Sequence, residues 1–263
     1  MSAAQPLLET RGLHLSIGGK QVCRDLNFSV QQGERWGVLG VNGVGKTSLL
    51  LALAGLKTAQ AGSVHMQGKA LSEFSGRQLA QLCGVMFQDS DDAFPASVLE
   101  TALIGRHPHL RAWEWESAAD EAIARAALQA VGLAELTQRT TNTLSGGERR
   151  RLALATLLAQ DPPLMLLDEP VNHLDLHHQI DALELLTQQV TQHGKTSVMV
   201  LHDVNLAARY CDALLLLFGD GEVLQGAVRE VLTLENLSRL YGHPVRSVET
   251  PEGVLYYPEI RKT

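Results

Sequence analysis

The hydrophobic and polar positions of this chain follow two periods, one typical of strands and one of helices. Residues 7–40 alternate in the manner of strands, with turns at Gly18-Gly19 and Gln32-Gly33. Within them, Arg35–Gly40 is a predicted strand. Short apolar runs predict further buried strands of the parallel type at Gly84–Gln88, Leu164–Asp168 and Ser197–Val200.

Helical patterns separate these strands. Thr47–Leu56 is apolar nearly all round, which is typical of a buried helix. Further helices are predicted at Ser117–Val131, Glu148–Leu158, Ile180–Gln192 and around Leu232–Tyr241. Strands that alternate with helices predict an α/β fold with a mainly parallel sheet and an N-terminal antiparallel β portion. We expect a single domain over residues 1–263, with an inserted α-helical subdomain at about 90–160.

Composition and charge narrow the class of protein. The chain has 263 residues, of which 45% are hydrophobic, so it can bury a sizeable core. Its formal net charge of −7 argues against a nucleic-acid binder. The cysteines Cys23, Cys83 and Cys211 are widely spaced and indicate reduced thiols. Neither a signal peptide at Met1–Glu9 nor a membrane-spanning run is evident, so a role at a membrane would need other subunits to supply the spans.

A glycine-rich segment follows the predicted strand Arg35–Gly40 and precedes a predicted helix. It fits the pattern G-x-x-x-x-G-K-[ST] and consists of Gly40, Val41, Asn42, Gly43, Val44, Gly45, Lys46 and Thr47. Its glycines let backbone N–H groups point at phosphate oxygens. Lys46 supplies a charge for the β- and γ-phosphates, and the Thr47 hydroxyl is an oxygen ligand suited to Mg²⁺. The segment predicts a nucleoside triphosphate site.

Two carboxylates, Asp168 and Glu169, stand at the end of the apolar strand Leu164–Asp168. In phosphate-loop ATPases an aspartate at this place holds Mg²⁺. We assign Asp168 to Mg²⁺ and Glu169 to the general base that activates the attacking water. Adjacent side chains of a strand point to opposite sides, but at a strand end both can reach a nucleotide.

The pentapeptide Leu144–Glu148 reads Leu-Ser-Gly-Gly-Glu. Ser145 is a candidate N-cap, and Glu148 stands at the spacing of a capping box. Gly146 and Gly147 would leave bare N–H groups at the start of a helix, which suits an anion. The pentapeptide therefore predicts a helix start that is suited to bind an anion.

These three motifs in this order resemble the ATP-binding cassette (ABC) ATPases, over about residues 7–245. The resemblance implies a phosphate-loop NTPase core that binds ATP and Mg²⁺, and a homodimer in which Ser145, Gly146 and Gly147 reach the γ-phosphate held by the opposite subunit. Three further residues match the family. Gln88 resembles the glutamine that contacts Mg²⁺ and the attacking water, Asp175 belongs to a loop that crosses the dimer interface, and His202 resembles the histidine that binds the γ-phosphate.

The resemblance extends to a group of importers. Val98–Glu100, Ile104–His109 and Leu240–Gly242 resemble segments of the importers of ferric siderophores, haem and vitamin B12. This implies an ATPase subunit at the cytoplasmic face of the cell membrane, held there by transmembrane permease subunits and served by a substrate-binding protein. An importer for another substrate, a soluble ABC-type ATPase acting on ribosomes or DNA, and a small-molecule kinase are the alternatives. Where many family members place an aromatic residue against adenine, this chain has Ile17.

Other features are assigned no chemistry. The spacing of His173, His177 and His178, with Asp175, resembles that of metal ligands, but a loop and an exposed helix are the better explanation. The basic run Arg149–Arg151 is interpreted as a solvated or interface face. Trp113 and Trp115 are open to either a surface role or contact with a membrane subunit.

Overall fold

A computed structural model describes residues 5–88, 96–111 and 113–259. The strands are β1 (Leu8–Ile17), β2 (Lys20–Val30), β3 (Arg35–Gly40), β4 (Ala61–Met66), β5 (Lys69–Ala70), β6 (Cys83–Met86), β7 (Leu164–Asp168), β8 (Thr196–Val200), β9 (Ala213–Leu217), β10 (Val223–Ala227), β11 (Val245–Thr250) and β12 (Gly253–Pro258). The α-helices are α1 (Lys46–Leu53), α2 (Gly76–Leu82), α3 (Val98–Ile104), α4 (Ala118–Ala130), α5 (Gly146–Gln160), α6 (Leu176–His193), α7 (Val204–Tyr210), α8 (Val228–Val231) and α9 (Leu234–Tyr241). Short 3₁₀ turns lie at Leu71–Glu73, His107–His109, Ala134–Leu136 and Thr141–Thr143.

The described residues form two compact units. One contains the residues up to Glu73 together with those from Ser197 onward, and the other runs from Phe74 to Thr196. The predicted helical subdomain at about 90–160 falls within the second unit, and its residues 90–95 lie outside the described residues. Its boundaries stay a prediction.

The first unit combines an antiparallel and a mainly parallel layer, as the sequence predicts. Strands β2, β1, β4 and β5 form the antiparallel sheet in that order. Strand β3 pairs in parallel with β8 and β9, and β10 adds an antiparallel edge to β9. Phe28 and Trp36 pack edge to face in the core, with ring centroids 4.8 Å apart. Strand β3 ends at Gly40 and helix α1 begins at Lys46, so this layer positions the glycine-rich loop between them.

The second unit is built on the parallel pair β6 and β7 and on helices α2 to α6. Strand β7 is buried along its whole length. Helix α4 begins at a capping box in which the Ser117 hydroxyl accepts from the Asp120 N–H, while the Asp120 carboxylate accepts from the Ser117 N–H. Arg106 reinforces this end with a 2.9 Å ion pair to Asp120. The end of β7 carries the candidate acidic residues Asp168 and Glu169, and the loop after β6 carries Gln88.

Several predicted boundaries differ from the structure. Helix α1 ends at Leu53, not Leu56, because Gly55 turns the chain with a φ of 74° and leaves Leu56 60% exposed. Strand β6 ends at Met86, so Gln88 lies in the loop beyond it. Helices α5 and α6 are longer than predicted, because capping residues start them earlier.

Among residues 5–88, 96–111 and 113–259, none of the helices combines the length and the apolar character required to cross a bilayer. The three cysteines are buried and form no disulfide. Burial raises the pKa of Cys23 to about 11 and the pKa values of Cys83 and Cys211 to about 12.

Candidate active site

The phosphate loop of the first unit depends on glycine for two reasons. Gly43 and Gly45 adopt φ angles of 73° and 105°, which L side chains rarely reach. A Cβ at Gly45 would stand 2.4 Å from Val22 Cγ2, and one at Gly40 would stand 2.9 Å from the Leu217 carbonyl oxygen. Glycine is therefore needed both for the turn and for the close approach of the neighbouring strands.

Lys46 lies within this loop and is nearly buried. Its ammonium group donates to the carbonyl oxygens of Gly40 at 2.8 Å and Val41 at 3.2 Å. The adjacent Thr47 is half-buried in the first turn of α1. A triphosphate with Mg²⁺ requires backbone N–H groups and a cation for the phosphates, and an oxygen ligand for the metal. The glycine loop at the start of α1, Lys46 and the Thr47 hydroxyl can supply these groups.

Two other predicted residues of the first unit lie at element ends. His202 is exposed between the end of β8 and Asp203, whose carboxylate caps α7 by accepting from the Asn205 N–H at 2.7 Å. Ile17 is half-buried at the end of β1, opposite Lys20 in the β1–β2 hairpin. The roles of His202 and Ile17 stay predictions.

The acidic strand end of the second unit is strongly bent. Asp168 ends β7 and is 1% exposed, whereas Glu169 has a left-handed φ of 52° and is 7% exposed. This φ interrupts the alternation of the strand and gives the Glu169 side chain a new direction. The bend continues as a turn, because the Asn172 N–H donates to the Glu169 carbonyl at 3.1 Å.

The structure brings Gln88 and Glu169 together, although 81 positions separate them in the chain. The Gln88 amide donates to Glu169 Oε2 at 3.1 Å. The Asn172 amide donates to the same oxygen. The carboxylate that we predict to be a base is therefore oriented by two side-chain amides, of which sequence reasoning identified only Gln88.

The capping box at the start of α5 is confirmed. The Ser145 hydroxyl accepts from the Glu148 N–H at 3.2 Å, and the Glu148 carboxylate accepts from the Ser145 N–H at 2.7 Å. This backbone hydrogen bond, followed by that of the Ser145 side chain, lowers the pKa of Glu148. Both partners of the box are thus fixed, and Gly146 and Gly147 form the first turn of the helix.

The loop before α6 lies against this helix start. A Cβ at Gly147 would stand 3.4 Å from the His173 carbonyl oxygen and 3.5 Å from Leu174 Cδ2. Asp175 is the N-cap of α6, where its carboxylate accepts from the His178 N–H at 3.0 Å. This hydrogen bond lowers the pKa of Asp175. The second unit therefore places the pentapeptide beside the residues that precede Asp175.

The interpretation of Arg149–Arg151 as a solvated or interface face is wrong for Arg150, which is buried against its own chain. Arg149 is exposed, but Arg150 is only 6% exposed. Arg151 is half-buried and donates to the Val131 carbonyl at 3.0 Å at the end of α4. Arg150 donates to backbone carbonyls of the segments that carry Gln88 and Glu169. It is the main residue of this region that local sequence patterns did not identify.

An apolar groove of about 290 Å³ opens on the second unit between α3, α5 and the end of β6. Phe87 and Ile104 line it and are 47% and 51% exposed. Trp113 and Trp115 lie elsewhere on the surface of this unit and are 100% and 87% exposed. Since Phe87 precedes Gln88, a partner seated in the groove would touch the loop that carries Gln88.

The sequence of this chain is similar to those of a known protein family. The sequence model of the ABC transporter family matches residues 23–172. The hemin import ATP-binding protein HmuV of Gloeobacter violaceus is 41% identical over 244 residues, covering 90% of this chain and 87% of the relative.

Solved structures agree with the fold. An ABC transporter assigned to the metal-chelate type, in an inward-facing conformation, superposes with a TM-score of 0.85 at 28% identity and covers 97% of this chain and 98% of its own. A dimeric bacterial ABC transporter cassette, MJ0796, superposes with a TM-score of 0.75 at 25% identity and covers 84% and 99% of the respective chains. The predicted fold class, a phosphate-loop core with a mainly parallel sheet, an N-terminal antiparallel portion and an α-helical insertion, is confirmed.

Proposed function

This chain belongs to the ABC transporter family of ATP-binding proteins, and we propose that it is the ATP-hydrolysing subunit of an importer for a metal chelate. As a member of this family the chain is an ATPase. The proposal of a metal-chelate cargo is supported by the similarity to HmuV, named for hemin import, and to the metal-chelate type transporter. Ferric siderophores and cobalamin belong to the same chemical class.

The catalytic roles that we propose match the chemical groups of the residues at each position. We assign the loop Gly40–Thr47 to the phosphates of ATP, and Thr47, Gln88 and Asp168 are the residues whose oxygen atoms would hold Mg²⁺. The metal neutralises charge on the phosphates when it is bound. Glu169 accepts the proton of the attacking water, and His202 binds the γ-phosphate. The single observation that carries the base assignment is the Glu169 carboxylate, whose Oε2 is oriented by Gln88 at 3.1 Å and by Asn172.

A homodimer completes the site. Ser145 is fixed by its capping box, which leaves Gly146 and Gly147 at the helix start to receive a phosphate. We assign these three residues to the ATP bound by the partner subunit, and Asp175 to the loop at the dimer interface. The similarity to a dimeric cassette supports this assembly.

The groove beside Phe87 and Ile104 is the proposed docking surface for a transmembrane permease subunit. An importer needs such a partner, and exposed apolar side chains in a concave surface suit a short permease helix. Docking there would hold the ATPase at the cytoplasmic face of the cell membrane. A substrate-binding protein would deliver the chelate to the permease from the other side.

Uptake measurements test this function. Cells that lack the gene are complemented with the wild-type chain or with Lys46→Ala, and the uptake of labelled haem, a ferric siderophore and cobalamin is followed, with an amino acid as the control. We expect one of the three chelates to require the wild-type chain, with Lys46→Ala giving no rescue and amino-acid uptake unaffected.

Uptake of all three chelates at wild-type rates without the gene would exclude the metal-chelate importer. Rescue by Lys46→Ala would exclude the role of ATP binding at this loop, since that variant lacks the ammonium group that faces the phosphates. The two outcomes separate the cargo from the catalytic assignment.

A further inference from the structure

Arg150 is a buried cation one turn after the glycines of the pentapeptide. Its guanidinium donates to the carbonyl oxygens of Phe87 at 2.5 Å and Gln88 at 2.9 Å, on the loop after β6. It also reaches the segment after β7, and there it donates to the carbonyls of Asp168, of Glu169 at 2.5 Å and of Pro170 at 3.3 Å. One side chain of α5 thus holds the backbone on both sides of the Gln88–Glu169 contact.

We propose that Arg150 is a positioning residue that sets the geometry of Gln88 and Glu169 and links this geometry to the position of helix α5, which begins in the pentapeptide. The proposal rests on the proposed function, in which Glu169 is the general base and Gln88 a ligand of Mg²⁺ and water. The hydrogen bonds of Arg150 to these segments go to backbone carbonyl oxygens, so it acts on the two backbones that carry the side chains.

The chemistry of arginine suits this task. A guanidinium is planar and presents five N–H donors in a fixed fork, so it can bridge two chain segments at once. A lysine offers its donors from one atom and cannot span the same set of carbonyls. Glutamine has two N–H donors, so it would leave buried carbonyl oxygens unpaired and allow the two loops to drift apart.

The position of Arg150 in α5 connects the start of this helix to the segments that carry Gln88 and Glu169. Gly146 and Arg150 are four residues apart in α5, which is about 6 Å along the helix axis. A shift of the helix start on binding a phosphate is therefore carried rigidly to the guanidinium, and from there to the carbonyls of Gln88 and Glu169. Because a misplacement of about 1 Å can cost about 10²-fold in rate, this contact can set the turnover of the chain's own site.

A double-mutant cycle on the full chain tests the proposal. Arg150→Gln, Arg150→Lys and Glu169→Gln are compared with the wild type, together with the double variant Arg150→Gln/Glu169→Gln. Single-turnover release of labelled phosphate from Mg-ATP gives the rate, and steady-state kinetics give KM. Arg125→Gln is the matched control, since Arg125 is an exposed side chain of α4 paired with Glu121. Circular dichroism at the assay temperature corrects each rate for the folded fraction.

We expect Arg150→Gln to lower kcat by about 10- to 100-fold with KM within about threefold, and Arg150→Lys to fall between it and the wild type. In the Glu169→Gln background the same substitution should cost at least about threefold less than in the wild-type background, because the base that it helps to position is already gone and only Gln88 is still displaced. Arg125→Gln should leave kcat unchanged. Should Arg150→Gln not fold, the comparison of Arg150→Lys alone and with Glu169→Gln decides by the same criterion.

An equal loss in both backgrounds would overturn the proposal, since Arg150 would then act independently of Glu169, as it would in a purely structural role. A wild-type kcat in Arg150→Gln, or a loss confined to KM, would also overturn it. In these cases a large loss in Glu169→Gln alone leaves the proposed function intact. Near-normal turnover of Glu169→Gln alone would instead remove the base assignment, and the positioning proposal with it.

Discussion

Glu169→Gln is the substitution that most directly tests the assigned base. Glu169 is 7% exposed, and its Oε2 accepts from the amides of Gln88 at 3.1 Å and of Asn172. A glutamine has the same shape and retains one carbonyl oxygen that can accept both hydrogen bonds. The variant should therefore keep the local structure and lose only the charge and the basicity of the carboxylate.

The expected loss follows from that difference. A positioned general base contributes about 10²- to 10⁴-fold, which corresponds to about 2.7–5.4 kcal/mol in the activation barrier. Nucleotide affinity should stay within about threefold, since the phosphate loop is unchanged. Single-turnover phosphate release measures the rate, and equilibrium titration with a fluorescent ATP analogue measures the affinity.

Turnover within about threefold of the wild type would refute the reasoning, because no other change in the variant compensates for a lost base. Glu121→Gln is the control, since Glu121 is an exposed side chain of α4 whose carboxylate pairs with Arg125. Loss of nucleotide affinity in Glu169→Gln would show instead that the site had rearranged.

Three further substitutions address the other parts of the site and the fold. Ser145→Arg should abolish ATP-dependent dimerisation in analytical ultracentrifugation while a single chain still binds nucleotide, and a dimer formed with ATP would contradict the composite site. Gly45→Ala combines a φ of 105° with a Cβ 2.4 Å from Val22 Cγ2, so ATP affinity should fall more than about tenfold by calorimetry; unchanged affinity would contradict the role of the loop geometry. Hydrogen bonds from Ser117, together with Arg106, hold the pKa of Asp120 at about 2, below its usual value. The ionised carboxylate therefore stabilises the fold fully above about pH 4, and this stabilisation decreases as the pH falls toward 2. Asp120→Asn should therefore lower the free energy of unfolding by about 1–3 kcal/mol at pH 7, and the difference should shrink at pH 3; a difference that is constant with pH in urea titrations would contradict this.

Sequence patterns predicted the structural elements that are specified by residues close together in the chain. Strand β3, the body of α4 and the capping box at Ser145 and Glu148 follow from periodicity and from short-range hydrogen bonds, so the residues that specify them are neighbours. The end of α1 was missed because Gly55 turns the chain before the apolar run is finished. The contact between Gln88 and Glu169 could be inferred only through the family resemblance, since nothing local joins two positions so far apart.

Arg150 shows a limit of a different kind. Three consecutive arginines suggest a solvated face, but a helix rotates successive residues by about 100°, so they cannot share one environment. Gly147, Arg150, Leu154 and Leu157 follow the helical period, and the last three are buried. The period therefore contained a signal that Arg150 faces inward. Its hydrogen-bond acceptors lie 18 to 63 positions away and could not be identified from the sequence.

The link between β7 and α6 departs from local backbone preference at two residues, Glu169 and His173, with φ angles of 52° and 64°. Sparsely populated conformations of this kind cost about 1–3 kcal/mol each and persist only where surrounding contacts impose them. Arg150 supplies such contacts at Glu169, and the Asp175 cap fixes the end of the link. The two bent residues contact different neighbours. Glu169 accepts a hydrogen bond from Gln88, whereas His173 lies against Gly147, where an added Cβ would stand 3.4 Å from the His173 carbonyl oxygen. The strain therefore lies in one short segment that must place Glu169 beside Gln88 and also pack His173 against the start of helix α5. Relaxing either bend would break one of these two contacts.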